Sequence, residues 1–332
     1  MPNATAPVPS VTLTCDPPGP LFLISEQGAM PKITATAVLR NIVLDAAVPI
    51  QFHWQVSLAF NGQSCVHARG RVIRHPDIDE VIANNQFVIP FTEVRGGDLA
   101  IRVTAMIGGV VQLTAESTGL QLGGANPSTL ALRSATVGVS NGFKRLMQLE
   151  SGLRQFRSPV CPLFSGDNLG GVGLCQITSP APTDDQVWDW RENVKAGLAL
   201  YQSKQSIARG YPVKIRNSAA FKMSVKNYND RRAGQGLQPL SIDMPDFTQE
   251  QLERDTLRGF NGYAGQLHEY RVKVDTGGEL VVDVDATGTK GTAEWERMTA
   301  AQRSAYYDKI GLAANRRGDV NYVDDVEAQT GF

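Results

Sequence analysis

The chain has 332 residues, 42% of them hydrophobic and 20% charged. At about 150 residues per domain this length points to two domains, each long enough to bury its own core. The composition excludes disorder, collagen and coiled coil. Lys plus Arg number 32 and Asp plus Glu 33, a net charge of -1, so nucleic acid is excluded as a main partner. There is no apolar run of about 18 residues, so no membrane span is expected. The opening Met1-Pro2-Asn3-Ala4-Thr5-Ala6-Pro7-Val8-Pro9 has neither a basic n-region nor an apolar h-region. That predicts a chain made in the cytoplasm without a secretory signal.

Residues 10–122 read as strands. Period-two runs occur at 11–15, 33–39, 52–58, 87–91, 99–105 and 110–115, with Gly and Pro between them. About seven such short runs are the pattern of an antiparallel sandwich. Trp54 between Cys15 and Cys65 gives residues 1–122 the look of an immunoglobulin-like domain. The stretch Gly123-Gly124-Ala125-Asn126-Pro127-Ser128 then reads as a linker. From 129 to 332 the period is helical, with helices predicted at 129–137, 142–155, 183–207, 248–258 and 299–312. Thr183/Gln186, Thr248/Gln251 and Thr299/Gln302 have capping-box spacing and place three helix starts. A strand pair is expected at 268–285, turning at Gly277-Gly278.

The four cysteines pair naturally within halves. Cys15–Cys65 would staple the first. Cys161–Cys175 would close a loop of about 15 residues, worth roughly 3 kcal/mol in the chain-entropy model. The alternative is four free, buried thiols. No CxxC or CxxH spacing suggests zinc, and His53, His67, His75 and His268 lack metal-ligand spacing. Asp283-Val284-Asp285 before Gly288 has part of a calcium-loop pattern, but Thr287 takes the third ligand position and no Glu closes it. No metal and no cofactor are expected.

On the helix at 142–155, Phe143, Leu146, Met147 and Leu153 share one face, and Glu150 falls on it. A carboxylate there is costly unless paired or protonated. It is either a structural Glu or a general acid whose pKa is raised by desolvation. Gly152 should weaken or end the helix. The segment Gly170-Gly171-Val172-Gly173-Leu174-Cys175-Gln176-Ile177 offers glycines for close backbone approach and a Gln that both donates and accepts. Further on comes Phe260-Asn261-Gly262-Tyr263. A helix-borne Glu, a glycine-lined wall and an aromatic–Asn–Gly turn describe a cleft for a polar, ring-shaped ligand.

Glu150-Ser151, Gly173-Leu174-Cys175-Gln176 and Phe260-Asn261-Gly262 resemble, in order and near the usual spacings, the three motifs of lysozyme-like soluble lytic transglycosylases. In that family they read Glu-Ser, Gly-Leu-Met-Gln and Tyr-Asn-x-Gly. The resemblance covers about residues 129–270. It implies a lysozyme-like α+β domain, behind the sandwich, that cleaves the β-1,4 bond between N-acetylmuramic acid and N-acetylglucosamine in peptidoglycan. Glu150 would be the acid and then the base. Ser151, Gly173 and Gln176 would line the cleft, and Phe260, Asn261, Gly262 and Tyr263 would lie near the sugar. Cys175 stands where Met is common, and Phe260 where Tyr is usual.

The number of carboxylates separates two chemistries. Hydrolysis normally uses two, and lytic transglycosylases one. Asp167 is the candidate second acid, at an offset where goose-type lysozymes carry Asp; otherwise it is a turn carboxylate. Asp184, Asp185 and Asp189 are weaker candidates, and Trp188 and Trp190 read as core rather than as platforms for sugars. The third possibility is a non-catalytic peptidoglycan-binding or adhesion module. A cell-wall substrate implies action in the periplasm or wall of a target bacterium. Delivery would be as a type VI secretion effector with a cognate immunity protein, or as a phage lysin carried on a virion. The expected partners are peptidoglycan glycan strands and that immunity, secretion or virion component.

Overall fold

The computed structural model describes residues 7–42, 47–166, 170–261, 267–313 and 316–332. The chain is α+β, with several sheets and, among the described residues, eight α-helices. Its contacts fall into two compact units. One is 1–137 with 150–196, and the other is 138–149 with 197–332. This division differs from the expected boundary at 123–128, because residues 150–196 pack with the strands that precede them.

In the first unit the strands are β1 Ser10–Asp16, β2 Leu21–Ile24, β3 Thr34–Arg40, β4 Ile50–Asn61, β5 Val72–Arg74, β6 Ile78–Ile82, β7 Gln86–Val88, β8 Gly97–Ile107 and β9 Val111–Gly124. They form a three-stranded sheet, β1-β3-β7, and a larger one, β2-β9-β8-β4-β5, with β6 also on β4. All pairs are antiparallel except β2 with β9, which run parallel. Inward residues of both sheets share one core: Val11, Ile33, Ala35 and Ala37 from one, Phe52, Trp54, Val56, Leu99, Ile101 and Val103 from the other. Alternation along β4 and β8 is what allows this. Trp54 stacks on Phe87 with ring centroids 5.6 Å apart.

A second core joins these strands to later residues. Ile24, Phe60, Cys65, Ala68 and Ile73 pack with Phe156, Cys161, Phe164, Val172, Val187 and Trp188. Cys65 and Cys161 are disulfide-bonded across a sequence separation of 96, and Cys15 and Cys175 are free. Both expected pairings are therefore replaced. The bond follows the tertiary core, and Cys175 is buried elsewhere, on a turn facing amide groups. The expected linker is also structural. Gly123 and Gly124 end β9 and lie against Pro159 and the Phe156 ring. Asn126 accepts from the amides of Gln155 and Phe156 at 2.8 and 2.7 Å and donates to the Phe156 carbonyl.

The helices begin where short polar caps permit. They are α1 Thr129–Ala135, α2 Asn141–Ser151, α3 Asp184–Trp188, α4 Trp190–Asn217, α5 Ala219–Gly234, α6 Gln249–Phe260, α7 Ala300–Lys309 and α8 Tyr322–Glu327. All three capping boxes form, opening α3, α6 and α7. The single helix expected at 183–207 is broken at Asp189. That residue is extended, and its carboxylate accepts from the Arg191 amide at 2.9 Å, restarting the chain as α4. Helix α2 stops at Ser151 because Gly152 and Leu153 both take positive φ.

The remaining strands are β10 Phe156–Ser158, β11 Cys161–Pro162, β12 Ser241–Asp243, β13 Tyr270–Val272, β14 Val282–Val284, β15 Lys290–Ala293 and β16 Trp295–Arg297. Within the second unit β13 pairs with β16 and β14 with β15. The strand pair expected at 268–285 is thus reduced to one bridge, Val274 with Leu280, around the Gly277-Gly278 turn. Among the described residues no helix is long and apolar enough to cross a membrane.

Candidate functional site

Glu150 is half-buried near the C-terminal end of α2. Ser151 beside it is buried, and its hydroxyl accepts from the Arg154 amide at 3.3 Å, closing the turn that Gly152 and Leu153 make. The chain then returns through β10 and β11 to a narrow loop. Val172 bridges both Phe164 and Ile177. Asp167 lies outside the described residues.

The Gly173–Gln176 turn is built on two buried amides that sequence reasoning missed. Gln155 accepts from the Leu174 amide at 3.1 Å and donates to the carbonyls of Gln186 and Val187. Asn193 accepts from the Cys175 amide at 3.0 Å and donates to the carbonyls of Val172 and Gln186. Both side chains are fully buried. Each therefore satisfies backbone groups that would otherwise be costly to bury. Gly173 has a φ of 73°, and the space a side chain would need is filled by these two amides. Its missing Cβ thus makes room for the protein's own packing. A signal for Asn193 was present. It follows Trp190 by three residues and precedes Gly197 by four, on the buried stripe of α4.

Gln176 takes a φ of 46°, in the left-handed region. Its amide nitrogen donates to the Gly173 carbonyl at 2.8 Å, while Oε1 is buried with no hydrogen-bond partner among the described residues. Gly171 is small by necessity, since a Cβ there would lie 3.1 Å from that Oε1 and from the Thr178 hydroxyl. Burial pushes the Cys175 thiol far above its ordinary range, and the charge of Glu150 pushes it further. Glu150 and the Gly-Leu-Cys-Gln turn are therefore electrostatic neighbours.

The third group belongs to the other unit. Phe260 ends α6, half-buried, and Asn261 caps it. The Asn261 side-chain oxygen accepts from the Asp319 amide at 2.6 Å. Gly262 and Tyr263 lie outside the described residues. Beneath α6 runs a buried polar network that no motif or spacing announced. Asp255 accepts from His268 Nδ1 at 2.9 Å and from the Glu269 amide at 2.7 Å. Glu269 in turn accepts from Arg297 and Arg303, each at 2.7 Å. Arg258 donates to the carbonyls of Arg317 and Asp319. This network ties α6 to segments at 267–269 and 317–319.

Trp188 and Trp190 are core residues. Trp188 meets Phe60 edge-on at 5.4 Å, and the indole of Trp190 donates to the Glu26 carbonyl at 2.7 Å. Asp184 and Asp185 occupy the first turn of α3. The side chain of Asp285 serves its own turn, accepting from Thr287 and from the Thr289 and Lys290 amides. Among the described residues no group of His, Cys, Asp and Glu is placed to hold a metal. Compared with family models, curated proteins and solved structures, the chain matches none of them.

Proposed function

We propose that this chain cleaves the β-1,4 bond between N-acetylmuramic acid and N-acetylglucosamine in peptidoglycan, as a lytic transglycosylase with Glu150 as its acid and base. The observation that supports this reading is a half-buried Glu150 in the same compact unit as the turn that carries Gln176, which the buried Gln155 and Asn193 amides brace. In the reaction, protonated Glu150 gives its proton to the glycosidic oxygen as the bond to C1 of the muramic residue breaks. The Glu150 carboxylate then takes the proton of the muramic 6-hydroxyl as that oxygen bonds to C1, closing a 1,6-anhydro ring. One carboxylate serves both steps. Oε1 of Gln176, buried and without a hydrogen-bond partner among the described residues, would accept from the N–H of an N-acetyl group once substrate binding uncovers it. In this reading residues 129–332 act as the lysozyme-like cleaving module and the sandwich as an immunoglobulin-like docking module. The protein then serves as an antibacterial effector or lysin acting on the wall of a target cell.

The test is a digest of purified peptidoglycan by wild type and by Glu150→Gln, with mass spectrometry of the soluble products. Anhydro-muropeptides from wild type alone are expected. Reducing-end products would replace the transglycosylase by a hydrolase and make Asp167 the next residue to change. Equal product from Glu150→Gln, or none from wild type with oxidised and with reduced cysteines, would overturn the reading.

A further inference from the structure

The edge of the larger sheet in the first unit carries a pocket of about 410 Å³. Strands β5 and β6 pair with successive stretches of β4. Between them His75-Pro76-Asp77 leaves the ladder, with the His75 amide donating to the Leu58 carbonyl at 3.1 Å. The pocket is lined by the core side chains Val56 and Leu58 and by Phe91.

The polar groups around it are unevenly committed. Asp79 accepts from His53 at 2.6 Å and from Gln55 at 3.1 Å, one on each oxygen. Arg95 is ion-paired with Glu93. Asp77 and Glu80 also line the pocket, and no side-chain hydrogen bond or ion pair engages either among the described residues. His75 forms part of the wall and is only 8% exposed, and its Nε2 is buried without a partner among the described residues. The pocket therefore offers an apolar floor, two free carboxylates and an unused imidazole nitrogen, with its one lining cation already paired. At His75 the positive charge of Arg95 is opposed by the negative charges of Asp184, Glu93 and Asp185. A buried polar atom left unpaired costs free energy that a ligand can recover.

We propose that this pocket binds a primary ammonium on a short alkyl stem, the chemistry of a lysine-type side chain. The stem lies on Val56, Leu58 and Phe91. The ammonium sits between Asp77 and Glu80, and Nε2 of His75 accepts one of its hydrogens. The proposal is independent of the glycan-cleaving reading, and its test does not measure cleavage.

The test is calorimetric titration of the full chain with Nα-acetyl-lysine amide, and with Nα-acetyl-norleucine amide as the uncharged control. Saturable binding of the lysine probe alone is expected. The double variant Asp77→Asn/Glu80→Gln, altered only at exposed positions, should weaken it by about tenfold or more. His75→Leu should weaken it too, with an unchanged melting temperature showing that the sandwich remains folded. A peptide with an internal lysine separates the sources: tighter binding than the free probe points to a chain partner, and equal binding to a free amine. No saturable binding, equal binding of the norleucine probe, or an undiminished affinity in the double variant would each overturn the proposal.

Discussion

Cys175 and His75 show how burial sets the chemistry of single residues. Cys175 lies under the Gln155–Asn193 amides with its thiol held protonated by burial and by Glu150. A thiol, unlike a thiolate, is a poor nucleophile. Native protein treated with iodoacetamide should therefore be modified at half-buried Cys15 and spared at Cys175. Cys175 should react only in denaturant, and Cys65 and Cys161 only after reduction as well; peptide mass mapping reads all four. His75 is shifted downwards, first by burial and then by Arg95, against the opposing pull of Asp184, Glu93 and Asp185. A histidine with a lowered folded pKa binds its proton more weakly when folded than when unfolded. Its contribution to stability is thus fully present above the unfolded value of about 6.5 and is lost as pH falls below that towards and through the lower folded value. Melting curves at pH 8 and pH 5 should show a smaller loss on acidification for His75→Gln than for wild type. An equal loss would mean that other groups carry the acid sensitivity.

Among the elements, the Gly173–Gln176 turn makes the sharpest demand on residue type. Gly170 and Gly173 both have positive φ, but a Cβ at Gly170 meets open space while one at Gly173 meets two buried amides. Gly170→Ala pays only for backbone strain. Gly173→Ala adds overpacking, about 1–3 kcal/mol more, and urea unfolding of the two variants should separate them by that margin. Legibility in the sequence follows the range of the interaction. The capping boxes at Thr183, Thr248 and Thr299 were readable because both partners lie within one turn. The long strands β4 and β8 were readable because one face is buried along their length. Strands β5 and β6 were not, since each is a short piece of edge held by β4. Helix α5 was missed because its sequence has no apolar stripe, and only the Ser218 cap marks its start. Of the candidate site, Glu150, its helix and the end of that helix at Gly152 were legible. The amide of Gln155 was not, and Asn193 was marked only by its place on the buried stripe of α4, because the backbone groups they satisfy lie in two segments, 172–175 and 186–187, that only the fold brings to them.

For the molecule as a whole, the first unit is discontinuous in sequence, and its second core forms only when residues 156–188 return to the strands. A chain ending at residue 128 would keep the sandwich core but expose Ile24, Phe60, Ala68 and Ile73. Apolar surface of that kind drives association. That shortened chain should bind a hydrophobic dye and elute as aggregates, whereas a dye-silent monomer would show the second core to be dispensable. The Cys65–Cys161 bond acts at the same scale. By the chain-entropy model, closing about 100 residues is worth roughly 4–5 kcal/mol, so the melting temperature should fall on reduction. The bond also makes residues 65–161 a covalent ring, and 138–149, which pack with the second unit, lie on it. A protease that nicks the chain once anywhere between 66 and 160 cannot release a fragment while the ring is oxidised. The nicked protein would run at full mass on a non-reducing gel and fall into two pieces only when a reductant is added.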